Sequence, residues 1–112
     1  MAKEYNLEAK YDPHKSFYGK AKVVEEYGAV SLISYKSCIC QIQPVGLEKK
    51  VKIYDVHDYY GKSLTFSPTS LRHLKEFLIQ QGYRAISKDQ ILQDYDVVEG
   101  GQTDGFSKGT RR

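Results

Sequence analysis

Ser67 to Gly82, SPTSLRHLKEFLIQQG, carries a start signal, an apolar period and a stop signal that all agree. Ser67 is a natural N-cap whose hydroxyl can accept from a free amide of the first turn, and Pro68 follows at the first helical position, where a missing N–H costs nothing. Leu71, Leu74 and Leu78 recur at helical spacing with Phe77 beside them, a stripe that faces a core. Gly82 stands just past the last turn, where a left-handed residue closes many helices and glycine enters that conformation without a Cβ clash. The spacing predicts an amphipathic helix over 67–82.

Short alternating segments precede it and supply the surface it needs. From Lys20 to Tyr27, Ala21 and Val23 lie on one face against Lys20, Lys22 and Val24, and Tyr27-Gly28 offers a tight reversal. Ala29 to Tyr35 is the most β-like stretch by composition. Ser37 to Gln43 is a third strand, with Cys38, Cys40 and Ile42 expected on one side, and Pro44-Val45-Gly46 punctuates it. Lys49 to Asp55 alternates most cleanly, Val51 and Ile53 inward and Lys50, Lys52 and Tyr54 outward, as for a sheet with one buried and one wet face. His57 to Lys62 is a polar loop. Beyond Gly82, Ser87 and Gln90 have the spacing of a capping box, which predicts a short helix over 88–95 with Ile91, Leu92 and Tyr95 on its apolar side.

The fold expected is α+β, an antiparallel meander of about four strands with the long helix across one face and a short second helix. Too few helices intervene between the strands for parallel crossovers. Residues 1–15 read as a flexible N-terminal arm, 16–97 as a single domain and 98–112, with four glycines and little to bury, as a disordered tail.

A chain of 112 residues accommodates one modest core. Lys and Arg number 17 against 14 Asp and Glu, too small an excess to imply nucleic acid by itself. The excess lies at the two ends, since residues 23–66 hold five bases and five acids and residues 67–97 four of each. No apolar run is long enough to span a bilayer and the N-terminal stretch lacks the apolar core of a secretory signal, so no membrane association and a cytoplasmic location are expected. Two cysteines make no disulfide framework and suit a reducing compartment.

Cys38 and Cys40, two apart on a strand, are badly spaced for a mutual disulfide. They would need two further ligands to hold zinc, and His14, His57 and His73 show no such spacing. No metal, cofactor or catalytic residue is assigned. Asp55, His57 and Asp58 form the one acid and imidazole cluster, without a phosphate loop or nucleophile elbow to complete a site, and a polar turn explains them. Lys50, Lys52 and Tyr54, with Lys20 and Lys22 on a neighbouring strand, are the best surface candidate, because basic groups interleaved with an aromatic can stack bases and pair phosphates. The same pattern also keeps sheet faces soluble. Tyr54, Tyr59, Tyr60 and Tyr83 are alternatively expected to ring a protein-binding patch, and Arg72 with Lys75, beside His73, to present a basic helix face.

KSFYGKA at Lys15 to Ala21, SLISYKSCICQI at Ser31 to Ile42 and SPTSLRHLKEFLIQQG at Ser67 to Gly82 together resemble a group of short uncharacterised proteins of phages and mobile elements of Gram-positive bacteria. The resemblance spans Lys15 to Gly82; Phe17 to Lys20 carry its first part and Arg72-His73 lie on the RH pair of its helix. It implies a domain without assigned function and transfers no cofactor and no catalytic residue. The expectation is a small non-catalytic binding or accessory protein that docks on a host or phage protein. An inhibitor of a host system fits, as does a structural or replication accessory. The alternative is a DNA or RNA binder using the Lys-Tyr sheet face or the Arg72 helix. A protein partner is favoured because the middle of the chain carries no net charge.

Overall fold

The computed structural model describes residues 3–12, 17 and 19–102. In chain order the elements are β1 (Lys3–Asn6), β2 (Ala21–Glu26), β3 (Ala29–Ser34), β4 (Ser37–Val45), β5 (Glu48–His57), α1 (Pro68–Gln80), α2 (Lys88–Asp94) and β6 (Asp96–Gln102). The strands form one mixed sheet in sequence order, β1-β2-β3-β4-β5-β6. Neighbours from β1 to β5 are antiparallel, and β6 lies parallel to β5.

The meander through β2 to β5 follows from alternation and tight turns. Tyr27 and Gly28 both adopt positive φ, the geometry of a two-residue turn whose twist matches the flanking strands. One row across all six strands, Tyr5, Val23, Leu32, Cys40, Ile53 and Val97, points to the helices. Leu74, Phe77 and Leu78 of α1 and Ile91 of α2 reach zero exposure in the same cluster as Leu32, Cys40 and Ile53. Burial of each such side chain contributes about 1.5–3 kcal/mol, so this one contact surface supplies most of what holds α1 down.

The helix ends agree with their sequence signals. Ser67 accepts from the Ser70 amide at 3.4 Å. At the other end Gly82 takes φ +90°, its amide bonds the Ile79 carbonyl and the Tyr83 amide the Leu78 carbonyl, the paired bonds of a Schellman closure. Ser87 caps α2 through the Gln90 amide, while the Gln90 side chain turns back to the Ile86 amide, one residue before the cap.

The expected meander of about four strands is present as β2 to β5, and Lys3–Asn6 and Asp96–Gln102 extend it at both edges to six strands among the described residues. Other expectations need correction. The segment taken as the start of a disordered tail thus contributes a strand as far as Gln102; residues 103–112 lie outside the described set. A parallel crossover does occur, since the β5 to β6 connection runs through both helices. Cys38 and Cys40 face opposite sides: Leu32 pairs Cys40 while Ile33 pairs Cys38, so Ile39 is an extra residue in a β-bulge. A bulge places two successive side chains on one face, and both Ile39 and Cys40 are buried.

The N-terminal segment is strapped down rather than free. Glu76, 2% exposed, accepts the amides of Lys10, Tyr11 and Asp12 at 2.9–3.1 Å and the Gln80 side chain, which also reaches the Glu8 carbonyl. Leu7 inserts into the core, and its amide bonds the Ala21 carbonyl. Glu76 therefore serves the chain crossing α1.

Two stability outcomes follow. Gly82→Ala should lower unfolding free energy in urea by about 1–2 kcal/mol, since a new Cβ meets nothing within 4 Å and the cost is that of the left-handed backbone alone. Glu76→Ala should lower it by about 3 kcal/mol, because three amides lose a charged acceptor, and should speed hydrogen exchange at Lys10 to Asp12.

Candidate functional site

The face of the sheet turned away from the helices is laid with a continuous row, Glu4, Val24, Ser31, Gln41, Lys52 and Asp96, one residue from each strand. A second row sets Lys22 beside Ile33 and Cys38, and Tyr54 pairs Val98. No described element covers this face. Its polar groups satisfy one another laterally: the Gln41 side-chain amide donates to Ser31 Oγ at 3.0 Å, the Gln43 amide donates to Gln41 Oε1, and the Tyr54 hydroxyl approaches the same oxygen at 3.4 Å. Burial raises the pKa of both the Tyr54 hydroxyl and the Cys38 thiol, so both stay protonated near neutrality.

The lysines here are mostly matched. Lys22 pairs Glu4 at 3.4 Å and Lys50 pairs Asp96 at 3.1 Å, leaving Lys52 without an ion pair among the described residues. Exposed pairs of this kind contribute at most about 1 kcal/mol to stability, but they cancel the local field that would attract phosphate. At one end the face runs into apolar hairpin tips. Val45 is 55% exposed, Leu47 is fully exposed and Tyr27 is 85% exposed on the adjoining turn.

The structure thus keeps Lys50, Lys52 and Tyr54 together and separates the other candidates from them. Tyr59 and Tyr60 stand edge to face at 5.3 Å on the loop after β5, at 92% and 89% exposure. Asp58 fixes that loop by accepting the amides of Tyr60 and Lys62, and Asp55 accepts the Ser63 hydroxyl, so the acid and imidazole cluster is occupied with turn geometry. Arg72 grips Asp12 with two nitrogens at 3.1 and 3.2 Å and lies over the Phe17 ring. Lys75 donates to the Ile86 carbonyl, and Tyr83 packs on the core against Tyr95. The basic helix face expected from Arg72, His73 and Lys75 is therefore engaged in tertiary contacts.

His73 is buried at 1% exposure, where its Nδ1 lies 2.8 Å from Ser34 Oγ, itself 2.9 Å from Ser70 Oγ. Phe17 meets the imidazole edge to face at 4.6 Å. Sequence reading did not find this cluster: Ser34 is 39 residues from His73, and neither hydroxyl carries a local signal.

These features define a two-layer α+β module, one sheet face sealed by helices and the other open. The chain belongs to a family of unknown function, DUF8033, whose model matches residues 5–93. No curated protein and no solved structure matches the chain. No helix among the described residues is long and apolar enough to cross a membrane.

Burial, reinforced by the Arg72 charge and opposed by Asp12, lowers the His73 pKa to about 4. A folded-state value below the ordinary one near 6.5 means that the unfolded chain binds the proton more readily between those two pH values. The His73 contribution to stability should be complete above about pH 6.5 and lost as pH falls towards 4. Urea unfolding across that range checks this, with His73→Gln expected to flatten the dependence.

Proposed function

We propose that the chain is a non-catalytic protein-binding module that docks through the open face of its sheet, and that it serves as an accessory factor of a phage or mobile element. The observation that carries this reading is a six-strand face on which Val24, Ile33, Cys38, Tyr54 and Val98 are partly accessible and no described element lies above them. Polar groups already bonded to each other can be covered without leaving an unsatisfied partner, which favours a flat macromolecular contact. Lysines matched by Glu4 and Asp96 favour a protein over nucleic acid, and the neutral middle of the chain agrees. Val45, Tyr27 and Leu47 extend the apolar surface beyond one end of the sheet. The accessory role rests on the resemblance of the Lys15 to Gly82 segments to proteins of such elements; the partner is then a protein of the host or of the element itself.

Cys38 provides a handle, since it is part-exposed on this face while Cys40 is fully buried. A thiol-linked photo-crosslinker at Cys38 should capture one discrete protein from an extract of producing cells. Ile33→Glu and Tyr54→Ala should abolish capture with the fold intact by circular dichroism, while Asp89→Ser on α2 should leave it unchanged. Capture indifferent to Ile33→Glu overturns the reading. So does salt-sensitive binding to single- or double-stranded DNA that Lys52→Glu removes, which transfers the face to nucleic acid.

A further inference from the structure

The Ser34, Ser70 and His73 cluster does not end in solid core. Beside it, between the β3–β4 turn, the loop before α1 and the first turn of α1, lies a cavity of about 320 Å³. Its lining is mainly apolar, with Ile39, Leu64 and Tyr35 alongside Ser34 and Ser70 and, among the described residues, Lys36 as the single charged group. The size sits at the low end for small-molecule sites and equals about ten water volumes at ~30 Å³ each.

The hydrogen-bond chain determines what the cavity can offer. Ser34 has one hydroxyl proton and two close partners, so it donates to one and accepts from the other. When neutral His73 carries its proton on Nδ1, that nitrogen donates to Ser34, Ser34 donates to Ser70, and the Ser70 proton is left for a further acceptor such as a ligand oxygen. In the other tautomer Ser70 donates to Ser34 and Ser34 to Nδ1, and the chain is satisfied without a ligand. The cluster can thus supply a donor on demand without a change of charge, and the low pKa of His73 keeps the imidazole neutral near pH 7. Tyr35, which lines the cavity, holds φ +59°, a conformation costly for a bulky side chain, and its ring lies 5.9 Å from that of His73.

We propose that this cavity binds a small apolar carboxylic acid, whose chain lies against Ile39, Leu64 and Tyr35 and whose carboxylate accepts from Ser70 with Lys36 supplying the opposing charge. The site is separate from the open sheet face, so it stands or falls independently of the docking reading. A medium-length acyl chain with about ten non-hydrogen atoms, such as octanoate, matches the volume.

The test uses the full chain in amide NMR and calorimetric titrations with octanoate and octylammonium. Octanoate should bind saturably and shift the amides of Tyr35 to Ile39, Leu64 and Ser70, and octylammonium should bind at least about tenfold more weakly, as a reversed charge beside Lys36 requires. Ser70→Ala and Lys36→Glu should each weaken octanoate several-fold, and Ser37→Phe, which adds a bulky ring to the cavity lining, should abolish it. Should Ser70→Ala fail to fold, the two turn variants carry the test, because Lys36 is exposed and Ser37 only part-buried. Equal affinity for octanoate and octylammonium, shifts confined to the open sheet face, or octanoate binding unchanged in Ser37→Phe would each overturn the proposal.

Discussion

The seating of α1 on one side of the sheet is the constraint from which the rest of the molecule follows. Leu74, Phe77 and Leu78 are completely buried, and the row Val23, Leu32, Cys40 and Ile53 beneath them is buried with them. A sheet of this size with two helices has apolar area enough for one sealed face, and both helices are committed to it. The opposite face is therefore left to be stabilised by its own side chains. It meets that demand laterally, through the Ser31, Gln41 and Tyr54 contacts and the Lys22–Glu4 and Lys50–Asp96 pairs.

Polar groups on α1 bind the N-terminal segment to this frame. A carboxylate at Glu76's depth is tolerable only when its oxygens are fully engaged, and three consecutive backbone amides provide that engagement. Arg72 completes the arrangement through Asp12 and the Phe17 ring. The helix residues that resemble a basic binding surface thus hold residues 7–12 in place. The surfaces that this strapping leaves open are the far side of the sheet and the cavity flanking the first turn of α1.

The two proposed activities draw on different physics. The sheet face is broad, shallow and locally neutral, suited to a contact in which many weak apolar and hydrogen-bonded terms add over area. The cavity is small and lined by few polar atoms, so recognition there turns on the orientation of one hydroxyl chain and one charge. A ligand at Ile39 would touch the bulge that sets β4 against β3, which gives the cavity a direct structural path to the sheet.

Local signals in the sequence determined the limits of α1, the cap of α2 and the inward and outward sides of β5, because capping and side-chain period involve residues within a turn or two of each other. Those signals were enough to place Lys50, Lys52 and Tyr54 together on an accessible face. Only the tertiary structure decided that Glu76 is buried under amides 64 to 66 residues away, that Val97 brings a parallel sixth strand onto β5, that a bulge at Ile39 sends Cys38 and Cys40 to opposite faces, and that His73 meets Ser34. Each of these depends on which segments become neighbours once the chain is compact, a matter of long-range packing that no short stretch of residues encodes.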